Sequence, residues 1–96
     1  MQRRYLQLVS AAAKAYGKST SFFLACGPMS VDYCREVEWV ITQASRAGIK
    51  AYLLNQSSFE NGTFGGGCAY GHPGSRDDAA MARSGAAFVK MTMGWL

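Results

Sequence analysis

His72 is the single histidine of this 96-residue chain. It stands in Gly67-Cys68-Ala69-Tyr70-Gly71-His72-Pro73, directly ahead of a helical pattern. Imidazole titrates in the range where it can take a proton from a nucleophile near neutral pH and hand it on. Pro73 restricts residue 72 to extended backbone angles, so the main chain sets where the ring is held. The bland alternative is a surface or satisfied core histidine, and what decides between the two is whether the fold carries this segment to an active edge.

The three cysteines, Cys26, Cys34 and Cys68, offer other chemistry. Cys68-x-x-x-His72 with Cys34 and Cys26 would supply soft and imidazole ligands to zinc. Structural zinc sites, however, use paired and closely spaced ligands, and Cys26 lies in an apolar run where a thiol is ordinarily just buried. No metal and no cofactor is therefore expected. A nucleophilic Cys68 served by His72 is a further arrangement, since one loop carries both. In an oxidising compartment the expected bridge is Cys34–Cys68, both falling near one edge of the layer, with Cys26 left as a buried thiol. Gly65-Gly66-Gly67 is not a phosphate loop, because no strand feeds it and no Gly-Lys-Ser/Thr follows. Phe59, Phe64 and Tyr70 in the same loop either stack on sugar rings or pin the loop down.

The elements that must position these residues follow from periodicity. Tyr5, Leu8, Val9, Ala12 and Tyr16 share one helical face, predicting an amphipathic helix from about Arg4 to Ala15 that stops at Gly17. Arg3-Arg4 ahead of an alanine-rich stretch resembles a targeting signal, but Gln7 and Ser10 interrupt the apolar run such a signal needs. Ser21–Cys26 is a short apolar run that fits a strand buried on both faces, as in parallel sheets. Ser30 is placed to cap a second helix with Val31, Cys34, Val37, Ile41 and Ala44 on its core face, Val40 beside them, ending at Arg46 and Gly48. Ile49–Leu54 reads as a second strand.

Strand, helix and strand make a right-handed βαβ unit and an α/β class. Residues 55–71 then form a long Ser, Asn and Gly-rich loop, a length that is often functional. A last helix begins at Ser75 as N-cap, with Asp77 and Asp78 set against its dipole and Ala80, Met81, Ser84, Phe88, Val89 and Met91 on its buried face. Ligands of such layers sit at the carboxyl ends of the strands, and Gly27-Pro28-Met29 and the loop leading to His72 both leave from there.

Composition sets bounds on partners. A hydrophobic fraction of 49% with 17% charged residues is that of one ordered globular domain, residues 1–96. The net charge of +4 comes from ten scattered basic residues without a clustered face, so no nucleic-acid partner is expected. No apolar run approaches the roughly 20 residues of a membrane span, so no membrane partner is expected. Two sequons, Asn55-Gln56-Ser57 and Asn61-Gly62-Thr63, fall in the predicted loop and favour a secreted route weakly.

His72-Pro73, then Met81-Ala82, then Gly94-Trp95 resemble the C-terminal block of the SGNH (GDSL-like) hydrolases, in the branch similar to carbohydrate esterase family two. Gly67-Cys68 before the histidine, the strand ending in Gly27-Pro28-Met29, the Tyr33-Cys34 opening of the following helix, and Tyr5-Leu6 through Tyr16-Gly17 look like that branch too. The resemblance implies part of a flavodoxin-like three-layer α/β/α fold. It implies a serine ester hydrolase acting on carbohydrate or similar acyl esters, with His72 as general base. The family places an acid two or three residues before this histidine, where Ala69 and Tyr70 stand here, so a main-chain carbonyl would have to orient the ring. Its Gly-Asp-Ser-like nucleophile turn and oxyanion donors have no counterpart in the sequence. The chain thus reads as the C-terminal segment of such a domain, inactive alone; the alternative is an inactive α/β module that binds a partner.

Overall fold

A computed structural model describes residues 2–27, 33–57 and 74–95. Five elements follow one another: α1 (Gln2–Tyr16), β1 (Ser21–Cys26), α2 (Cys34–Arg46), β2 (Lys50–Asn55) and α3 (Ser75–Met93). The protein is α/β, and β1 and β2 pair in parallel from Ser21 opposite Lys50 to Cys26 opposite Asn55, with α2 as their crossover. The second strand thus lies one residue later than its apolar run. Ile49 belongs instead to the turn, where its N–H is donated to the Ala44 carbonyl at the end of α2.

Strand alternation divides the sheet into two chemically distinct faces. Phe22, Leu24 and Cys26 lie opposite Ala51, Leu53 and Asn55. This face gathers the core with Val9 and Ala13 of α1 and Val37, Val40 and Ala44 of α2, partly buried Tyr5, Leu6, Cys34, Trp39 and Ile41 completing it. On the other face Phe23 stacks on its register partner Tyr52, ring centroids 5.4 Å apart. Phe88 of α3 meets Phe23 edge-on at 5.9 Å, and Gly85 of α3 packs beside Leu54. Helices therefore cover both faces of the sheet. Neither strand is buried along its whole length as the apolar runs suggest, because the sheet has two strands among the described residues.

The faces of α1 and α3 and the starts of α2 and α3 depart from their predicted patterns, while Cys34, Val37, Val40, Ile41 and Ala44 of α2 face the core as expected. In α1, Leu8 and Tyr16 are exposed at 67% and 74%, and the stripe that docks is Tyr5, Leu6, Val9 and Ala13. Counting from Val9, i+4 is Ala13 and i−4 is Tyr5, so the contact line runs one position away from the Leu8 side. α2 begins at Cys34, with Tyr33 as N-cap and no side-chain cap; the Tyr33 carbonyl accepts from Val37 N–H at 3.0 Å. Ser30, the expected cap, and Val31 lie outside the described residues. α3 has Gly74 rather than Ser75 as its N-cap. Its inward line is Asp77, Ala80, Met81, Gly85 and Phe88, whereas Ser84 and Met91 face solvent.

Candidate functional site

The carboxyl ends of both strands form one edge, closed by local geometry that only certain residues permit. Gln56 N–H donates to the Cys26 carbonyl at 2.8 Å, carrying the ladder one residue past Asn55. Gly27 has a φ of +78°, and a side-chain carbon there would lie 2.7 Å from the Ser57 nitrogen. Glycine is thus demanded twice, by backbone angle and by close approach. Asn55 Oδ1 accepts from Ser57 N–H at 2.9 Å, turning the chain out of β2. The first sequon asparagine is accordingly a strand-end residue with its side chain engaged, not a loop residue.

The bridge expected between Cys34 and Cys68 is corrected here. Cys34 is joined to Cys26, Cα to Cα 5.2 Å, and Cys68 lies outside the described residues. The physical reason is the βα connection itself. Cys26 ends β1 on the core face, and α2 begins at Cys34 directly over that face, so the crossover brings the two sulfurs together. A buried position inside an apolar strand is no bar to pairing when the partner helix starts on top of it. The bridge also ties the start of α2 to the carboxyl end of β1.

Two buried acceptors, one on β2's continuation and one in α2, lack donors among the described residues. Gln56, which the loop reading passed over, is buried to 7% exposure, and its Oε1 has no hydrogen-bond partner; neither has the buried Glu36 Oε2 in the first turn of α2. A buried carbonyl or carboxylate oxygen without a donor costs roughly 1–3 kcal/mol, so such atoms are normally completed by water or ligand. The only sequence signal for Gln56 was its place immediately after an apolar run.

Asp77 and Asp78, treated as alike in the sequence, are different residues in the fold. Asp77 is completely buried and its Oδ2 accepts from Gly74 N–H at 3.0 Å; Asp78 is exposed. Asp77 is one half of a capping box, with no reciprocal half because glycine has no side chain to return. It therefore anchors the start of α3 at Gly74. His72 itself lies outside the described residues, as do Gly65-Gly66-Gly67, Phe59, Phe64, Tyr70 and the second sequon. Among the described residues no group of His, Cys, Asp and Glu is arranged to hold a metal ion, and no helix is long and apolar enough to cross a membrane. Comparisons with family models, curated proteins and solved structures returned no match.

Proposed function

We propose that this chain is the histidine-bearing, C-terminal part of an SGNH-type serine ester hydrolase, with His72 as general base and a carbohydrate or similar acyl ester as substrate. The observation that carries the reading is the parallel βαβ unit. Both strands end at one edge, α3 starts at Gly74 with Asp77 holding its N–H, and His72-Pro73 falls in the sequence between the end of β2 and that start. The finer fold in this reading is a flavodoxin-like α/β/α sandwich to which this unit contributes two strands.

In the reaction, a serine hydroxyl from residues outside this sequence attacks the ester carbonyl while His72 takes its proton. The imidazolium then returns the proton to the departing alcohol, and water repeats the cycle on the acyl-serine. No cofactor enters. The test has two parts. The coding sequence upstream of Met1 should contain a Gly-Asp-Ser-like turn, and in that longer protein His72→Ala should lower kcat for an aryl acetate about a thousandfold or more. The 96 residues alone should hydrolyse the same ester no faster than buffer. Turnover by the isolated chain that depends on one of its own serines or cysteines would overturn the proposal.

A further inference from the structure

The opposite end of the sheet is hollowed. Where α1 turns into β1 and α2 into β2, a cavity of about 400 Å³ opens between the two helix ends. That volume is at the small end of the range of small-molecule pockets. Its floor is apolar, from Ala13, Ala47 and Ile49, of which Ala13 and Ile49 are buried core residues. Lys14, Lys18 and Ser10 also line it, the lysines and the serine being exposed residues. Lys18 reaches from the first turn to the second, its Nζ lying 3.9 Å from where a side-chain carbon on Gly48 would sit.

The charges around this cavity are one-sided. Lys14, Lys18, Arg46 and Lys50 all belong to the segments that meet here, and residues 10–18 and 46–50 contain no Asp or Glu. All six acidic residues of the chain occur at positions 32–38, 60 and 77–78. Neither Lys14 nor Lys18 forms an ion pair among the described residues. Part of their positive charge is matched by the carbonyl ends of α1 and α2, and no acidic residue is among the described residues that line the cavity.

We infer that this cavity binds a small amphipathic anion, a carboxylate on a short aliphatic chain. The tail occupies the Ala13–Ala47–Ile49 floor and the carboxylate meets Lys14, Lys18 and the Ser10 hydroxyl. The site lies at the amino ends of the strands, away from the edge assigned to ester hydrolysis, and does not depend on that assignment.

Sodium hexanoate is the probe, titrated into the 96-residue protein while backbone amides are followed by NMR. Hexanoate moves the Ala13, Gly17, Ala47 and Gly48 amides along saturable curves. Lys14→Gln and Lys18→Gln each weaken it roughly two- to fivefold, the size of one exposed charge contact. Added salt weakens hexanoate binding by screening the same contacts. Ala47→Leu, which fills the cavity at a surface helix end, abolishes it while the spectrum elsewhere keeps the folded pattern. Hexanol binding as tightly as hexanoate would overturn the inference by showing a merely apolar hollow. Inorganic phosphate producing the same shifts would overturn it by showing unspecific anion attraction, and so would an absence of saturable shifts.

Discussion

At the scale of single residues, burial separates side chains that sequence alone treats as equivalent. Asp77 and Asp78 both sit in the first turn of α3, but only Asp77 is sealed from water with its carboxylate on Gly74 N–H. Asp77→Ala leaves that donor buried and unmatched, and is expected to cost about 1–3 kcal/mol in urea unfolding. Asp78→Asn should cost under about 1 kcal/mol, the size of a helix-dipole contact. Equal losses would mean the buried contact is not what matters. Tyr5 is set apart in another way, since burial raises its phenol above the ordinary value of 10.0. Its protonated form is favoured by folding, so that contribution is whole below pH 10 and disappears as pH climbs through the raised value. A pH series of unfolding midpoints for Tyr5→Phe should therefore show a smaller alkaline loss than the parent protein.

Among the elements, α1 and the β1–α2 connection carry the clearest consequences. The docked stripe of α1 is Val9 and Ala13 rather than Leu8, so Leu8→Gln should change stability by no more than about 0.5 kcal/mol. A loss of several kcal/mol, read by thermal unfolding, would restore the face that periodicity first indicates. The Cys26–Cys34 bridge spans a sequence separation of 8. Chain-entropy arguments give a ring this short roughly 2–3 kcal/mol of stabilisation. Peptide mapping without reductant should recover residues 26 and 34 linked, and reduction should lower the unfolding midpoint accordingly. Recovery of a Cys34–Cys68 peptide would reinstate the pairing that loop position suggests.

For the whole molecule, the core is small and lies almost entirely on one face of a narrow sheet. A chain of this length packed to ordinary compactness has a radius of gyration of about 12–13 Å, whereas this one measures 14.8 Å. Little redundancy is left, so one methyl-scale defect at the centre should be felt globally. Val40 is wholly buried where α2 meets the sheet. Val40→Ala is expected to cost about 1–3 kcal/mol, which in a domain of this size lowers Tm by several degrees. A Tm unchanged by Val40→Ala would show that stability resides outside the α1–α2–sheet core.

The α/β class, the strand at Ser21–Cys26, the crossover helix and its stop at Gly48 were all legible from residue order alone, because they rest on local periodicity, caps and breakers. So was the common carboxyl edge at which β1 ends in Cys26 and β2 in Asn55, which follows from parallel topology. The cysteine pairing was not legible, since it depends on where α2 starts above β1, a distance no spacing rule contains. The burial of Gln56 and of Asp77 was hidden for the same reason: both read as polar residues at the ends of elements until α3 closes over the sheet. The basic cavity is likewise a product of folding, for Lys14 and Lys18 are separated from Ala47 and Ile49 by a strand and a helix. Local chemistry selects the elements. Only their packing decides which polar groups lose water, which sulfurs meet, and where an open cavity remains.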